Sequence, residues 1–369
     1  MTAAATDRGP AASGGPGPSR VPAPAPRRLA FELPTALEAH EPPEARGLSR
    51  DAVRLMVARR GDEVLVHSTF TLLPTFLDPG DLVVVNTSGT LPAAIDAVAV
   101  DGTRLVVHLS TRLDDGQWVV EPRRPSGGTT ERWNGPLPVG ELTLAAGGSL
   151  ALVEPYGEAG RLWVAAVATP GPLRAWLGTH GRAIRYGYVA RQWPLAAYQS
   201  VYVTNPGSAE MPSAGRAFTP EILTRLVAKG VGVTPVLLHT GVASLEADEL
   251  PYPERVVVPE VTAARVAQTR AAGGRVIAIG TTVVRALESA VDAAGRVRRF
   301  DGWTDLVVTP ERGVRVVDGI LTGWHEPEAS HLLMLEAVGG EALLRRSYAA
   351  AIAEDYLWHE FGDTHLILP

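Results

Sequence analysis

The stretch Arg275–Ala290, RVIAIGTTVVRALESA, constrains this chain most, because it reads as strand, tight turn and helix in sixteen residues. Val276 to Ile279 is a short β-branched apolar run, Gly280 supplies a turn where backbone can approach a ligand, and Val283 onward has helical spacing. Thr281 and Thr282 fall where a helix would be capped, and the N–H groups of a first helical turn suit a carboxylate or phosphate. Arg285 and Glu288 sit three apart, so they are expected to share one helix face and bracket a polar group. The competing reading is that the threonines only cap and the Arg/Glu pair is a solvated surface pair. Most strand–turn–helix corners bind nothing, and residue types alone favour that reading.

At 369 residues the chain exceeds one average domain, which predicts two domains or one with a large insertion. Hydrophobic content of 46% against 20% charged is ample for a core. The chain has no cysteine, which removes disulfides, thiolate nucleophiles and Cys-type zinc sites and fits a cytoplasmic protein. No run of about 18 apolar residues and no secretory-type apolar core is present, so membrane and export readings are poor. A net charge of −6 argues against a general nucleic-acid coat, although a local basic patch is allowed. Lys229 is the only lysine, a bias best read as genomic composition.

Residues 1–28 are Ala, Pro, Gly and Ser with scattered arginine, a composition expected to form a disordered tail. Val53–Ala58 and Val64–His67 predict a hairpin, and Leu82–Val85 a buried strand after a Pro-Gly turn. Between residues 97 and 168 the texture changes to short alternating strands split by Gly, Asp and Pro, predicting an inserted antiparallel barrel or sandwich. On either side, residues 29–96 and 169–369 alternate strand and helix, with helices predicted at Pro220–Lys229 and Thr262–Ala272. The expected fold is therefore α/β, a mostly parallel sheet sandwiched by helices, with the β unit inserted. Such sheets carry ligand loops at their carboxyl edge, which singles out His239 and Gly241, Thr281 and Thr282, and His325 and Ser330.

No GxGxxG after a strand, GxxxxGK[ST], HExxH or GxSxG occurs, so the common nucleotide, metalloprotease and hydrolase readings lack support. The acidic run Ala243–Leu250 has no metal-ligand spacing and reads as a solvated loop. His239 and His325 each follow a strand, where a satisfied structural histidine competes evenly with a site role. Tyr198, Gln199 and Tyr202 suit stacking on a base, yet aromatics beside loops more often cover a core edge.

Several separated segments resemble one family in the right order. FELPTALEAH with Pro42, Arg46, Ser49 and Arg50, HSTFTLLPTFLDPGDLVVVN, YQSVY-x3-PGS-x3-PSAG-x2-F over Tyr198–Phe218, LLHTG, IGTTVVRALES, VDGILTGWHEPEAS and FGDTHLIL all match. The chain from about residue 30 onward resembles the S-adenosylmethionine:tRNA ribosyltransferase-isomerases of queuosine biosynthesis. That resemblance implies an α/β sandwich carrying an inserted β-barrel, and transfer and isomerisation of the ribosyl group of S-adenosylmethionine onto a 7-aminomethyl-7-deazaguanine wobble base, giving epoxyqueuosine. S-adenosylmethionine is then a co-substrate, the tRNA anticodon stem-loop a partner, and no metal or other cofactor is required, because the sulfonium already activates C5′. It implies His239 and His325 as acid/base candidates. Arg46, Ser49, Arg50, Tyr198, Ser213, Gly215, Gly241, Thr281, Thr282, Arg285, Glu288 and Ser330 are the implied substrate contacts. The chain departs from the pattern where Gly89 and Ala94 replace arginines and where Arg216 and Ala217 stand in TAGLHF, with alanine in place of the histidine. Those departures predict weak tRNA binding, and leave open a relative that uses another acceptor or a catalytically silent RNA- or ligand-binding protein.

Overall fold

The computed structural model describes residues 29–157, 160–242 and 251–369. The expected tail at 1–28 and the acidic run 243–250 lie outside them. Strands β1 (Arg54–Arg59), β2 (Leu65–Thr69), β3 (Leu82–Asn86) and β4 (Ser88–Thr90) precede a compact series: β5 (Ala94–Val98), β6 (Arg104–Arg112), β7 (Trp118–Ser126), β8 (Thr129–Arg132), β9 (Glu141–Leu144), β10 (Ser149–Tyr156) and β11 (Leu162–Ala168). Then follow α1 (Leu173–His180), β12 (Asn205–Ser208), α2 (Pro220–Ala228), β13 (Gly232–Leu238), β14 (Glu254–Val258), α3 (Glu260–Ala271), β15 (Val276–Ile279), α4 (Thr281–Ser289), β16 (Phe300–Thr304), β17 (Gly319–Gly323), α5 (Ser330–Gly339), α6 (Glu341–Ala353) and β18 (Thr364–Leu368). No helix among the described residues is long and apolar enough to cross a membrane.

Nine strands form one sheet in the order β16-β14-β13-β3-β15-β17-β18-β1-β2. The expectation of a mostly parallel sheet needs correction, since only four of its eight pairings are parallel. The cause is local: β13, β3, β15 and β17 form a parallel centre, while β18 enters antiparallel to β17 and two antiparallel strands extend the far edge. The chain is thus a mixed α/β protein. Continuous apolar runs such as Leu82–Val85 arise because both faces of the centre are covered. Alternate residues serve the two faces: Leu82, Val84, Val276 and Ala278 pack with side chains of α3 to α6, and Val83, Val85, Ile277 and Ile279 pack with α2 and the turn at Phe70–Phe76. Helix α2 starts as its sequence predicts, with Thr219 accepting from the Ile222 N–H and Pro220 at the first helical position.

Strands β5 to β11 make a separate, wholly antiparallel sheet with its own core around Ile95, Val107, Val120 and Leu150. β11 pairs with both β10 and β7, so this run of pairings closes on itself. The short parallel pair β4/β12 lies between the two sheets in the chain and ties Ser88 to the loop before Ser208.

Candidate active site

The parallel centre sets the carboxyl ends of β13, β3, β15 and β17 side by side, and one buried amide ties three of them. Asn86, at the end of β3, donates to the Leu238 carbonyl at 2.8 Å and to Thr282 Oγ1 at 3.3 Å. Its carbonyl oxygen accepts from the N–H groups of Leu238 and Ser88. Above this edge opens a cavity of about 470 Å³, within the span that holds a drug-sized ligand. β6 contributes Ser110 and Thr111 to its wall, so the second sheet closes one side. Gly241 is held against that side: a Cβ there would lie 2.7 Å from Ser110 Oγ.

Eight of the residues expected at a site line this cavity: Tyr198, Ser213, Gly241, Thr281, Thr282, Arg285, His325 and Ser330. Gly280 occupies the cap position of α4 with φ 90°, and no side chain caps there. The threonines are therefore the first two helical residues rather than caps. Their N–H groups precede the first bonds of the helix, which run from Val283 and Val284 to the Gly280 carbonyl, and a developing or full negative charge is favoured at that end. Arg285 donates to the carbonyls of Leu306 and Thr304 at 3.1 and 3.2 Å and pairs with Glu254. Glu254 in turn accepts from the Gly241 N–H at 3.0 Å, so α4 fixes the loop after β13.

Six expected residues fall outside the lining. Glu288 does not bracket a ligand with Arg285; it points the other way, accepting from Arg312 at 3.0 Å and from the N–H groups of Arg315 and Val316 at 2.8 and 2.9 Å. Three residues along a helix leave two side chains only about 60° apart, so it is their partners, Glu254 and Arg312, rather than the helix geometry that draw them to different sides. His239 shares a 2.7 Å hydrogen bond between Nδ1 and Ser88 Oγ, and Ser88 shares one of 2.6 Å with Ser208. Its ring fills the space at Gly207, where a Cβ would sit 2.4 Å from it, and burial lowers its pKa. Arg46 donates to the Phe361 carbonyl, Arg50 to the Gln199 carbonyl and Glu44, and Ser49 to Asp51. Gly215 is buried, since a Cβ would strike the Tyr202 hydroxyl. Arg216 is buried too, its charge matched by Glu44 at 2.8 Å.

His325 shares a 2.9 Å hydrogen bond with Thr322 through Nε2 and stacks on His331 at 4.7 Å. Enclosure in the cavity wall holds its pKa well below the ordinary imidazole value, and His331 adds to the effect. It is thus neutral at pH 7 and able to accept a proton. Sequence reading missed a further group on the lining, Tyr186, Tyr188, Glu210, Glu254, His359 and Glu360. They come from four distant stretches and make no local motif. The one available signal is Tyr186-Gly187-Tyr188, a spacing that in extended chain puts both rings on one side. Five carboxylates line the cavity (Glu210, Glu254, Glu326, Glu328 and Glu360) against one guanidinium, Arg285. That balance favours a cationic ligand.

The sequence profile of the queuosine biosynthesis protein family matches residues 27–367. An S-adenosylmethionine:tRNA ribosyltransferase-isomerase of Moorella thermoacetica is 33% identical, covering 92% of this chain and 98% of its own. The protein of the same name from Symbiobacterium thermophilum is 34% identical over 92% and 98%. Among solved structures, the S-adenosylmethionine tRNA ribosyltransferase of Thermotoga maritima is similar with a TM-score of 0.53 and 28% identity, over 92% of this chain and 99% of that one.

Proposed function

Because the chain belongs to the queuosine biosynthesis protein family, we propose that its cavity is where the ribosyl group of S-adenosylmethionine is transferred to a tRNA base. The enzyme is an S-adenosylmethionine:tRNA ribosyltransferase-isomerase, and S-adenosylmethionine is its co-substrate. The product is epoxyqueuosine at the wobble position, with methionine and adenine released. A tRNA substrate places this work in the cytoplasm. The observation that carries the reading is the excess of carboxylates in a ligand-sized cavity at the carboxyl edge of the parallel strands, since the donor is a sulfonium cation.

Roles follow from position. The N–H groups of Thr281 and Thr282 suit the methionine carboxylate of the donor. Arg285, already held by Glu254 and two carbonyls, orients the loop carrying Gly241. His325, on the cavity wall with Nε2 shared with Thr322, is the histidine placed to take a proton from C5′, which the sulfonium acidifies. His239, tied into the Ser88/Ser208 pair, is a positioning residue for the loop that follows it. The closed pairing of β5 to β11 supports reading residues 97–168 as a barrel domain inserted into an α/β domain of 29–96 and 169–369. The test is adenine release from S-adenosylmethionine. Release that depends on precursor tRNA is the expected result; none with or without tRNA overturns the reading.

A further inference from the structure

The segment 185–193 borders the cavity: Tyr186 and Tyr188 lie on the lining, and Arg191 beyond them is exposed. The Arg191 guanidinium sits 4.1 Å from the ring centre of Trp193. It makes no hydrogen bond or ion pair among the described residues. Arg50 and Arg216, which reach the next stretch of chain, are by contrast spent on the carbonyls of Gln199 and Ala197 and on Glu44. The indole under Arg191 is held in place. Trp193 packs with Val189, Tyr198 and Phe361, and the hydroxyl of Tyr198, a residue of the cavity wall, takes a backbone hydrogen bond from Trp193. The Ala190 N–H donates to the His40 carbonyl and the Gln192 side chain to the Ala183 carbonyl, each at 3.1 Å, which braces the loop on either side of Arg191.

A guanidinium over an indole is a planar cation with one face anchored; its other face can take a base, and its N–H edge a phosphate. A base that enters a cavity must leave its stack, and its neighbours in the strand then lose a stacking partner. We propose that Arg191 on Trp193 is a stacking platform for an unpaired nucleotide next to the one whose base enters the cavity. It takes single-stranded RNA by the face of a base rather than by the base's hydrogen-bonding edge, so it serves any of the four. The inference rests on the transferase reading and adds how an acidic chain grips its RNA. With a net charge of −6, contact through π-faces replaces part of the attraction to phosphate. The other use of such a pair, stiffening an exposed loop, calls for no RNA.

Filter binding separates the two uses on the full chain, with an anticodon stem-loop in which each nucleotide flanking the wobble position is made abasic in turn. Wild type is compared with Arg191→Lys, which keeps the charge and loses the plane. One of the abasic RNAs is expected to bind the wild type about tenfold more weakly than the intact RNA does. Arg191→Lys should bind the intact RNA about as weakly as that, and the same abasic site should then cost it about twofold or less. Its S-adenosylmethionine affinity and its salt slope should match those of the wild type, because the charge is retained. Equal costs of the abasic sites in the two proteins, or an intact-RNA affinity that Arg191→Lys leaves unchanged, overturn the platform and leave the pair as a loop brace. So does a stem-loop that the wild type does not bind, or a loss of S-adenosylmethionine affinity as large as the loss of RNA affinity. Failure of the transferase reading shows elsewhere: no adenine is released from S-adenosylmethionine with precursor tRNA, whatever the stem-loop affinities are.

Discussion

Burial lowers the pKa of both His325 and His365, but only His325 borders the cavity. His325 borders the cavity and shares a proton-bearing contact with Thr322. His365 is fully buried in β18, stacked on Trp324 at 4.6 Å and 8°, and neither ring nitrogen has a partner among the described residues. Burial lowers its pKa from 6.5 to about 3. The folded protein therefore holds His365 neutral, and its stability is fully present above the unfolded value. As pH falls from 6.5 toward 3 the unfolded chain gains a proton that the folded one refuses, and stability drains away. Between pH 7 and pH 5 the loss from this one group is about 2 kcal/mol. His365→Met, of similar volume and without a charge to bury, should lose about that much less over the same range in urea unfolding. An unchanged pH slope would show that the ring is accommodated when protonated.

At the scale of the element, α4 works in two directions at once. Its start, Thr281 and Thr282, opens on the cavity, and its middle sends Arg285 to Glu254 and Glu288 to Arg312 and the 315–316 backbone. Glu288→Gln should cost about 2 kcal/mol of stability, because charge-assisted bonds in a buried setting are lost. S-adenosylmethionine affinity should stay within twofold of wild type; a larger fall in affinity than in stability would put Glu288 back among the ligand contacts. The strand–turn–helix corner itself was legible in sequence, because β-branched residues, Gly280 and helical spacing are local signals. So was the α2 boundary. The partners of the corner were not. Spacing along a helix says which side chains share a face, but Arg285 finds Glu254 and Glu288 finds Arg312 only once β14 and the segment before β17 are in place. The same limit hid the Tyr186, Tyr188 and Glu360 group, and hid that Arg216 is spent on Glu44.

The whole molecule carries a net charge of −6, and several of its arginines are already matched internally. Gly89, where the family resemblance leads one to expect arginine, is packed: a Cβ there would lie 2.5 Å from Val203 Cγ1 and 3.3 Å from Gln199 Oε1. Position 89 therefore offers a phosphate no cation, and Arg216 is already held by Glu44. Filter binding of precursor tRNA between 50 and 200 mM salt should give a log–log slope smaller in magnitude than about 3, since each contact contributes somewhat under one unit. A slope of twice that would mean that a basic surface forms on binding. The order of strands has a consequence in time. β1 pairs with β18, Leu55 facing Thr364, and the same late segment brings His359 and Glu360 to the cavity. A ribosome that has made three hundred residues of this chain therefore holds a β1/β2 hairpin without its strand partner β18 and a cavity lacking one wall, so that the sheet and the cavity are completed together, after nearly all of the protein has been synthesised.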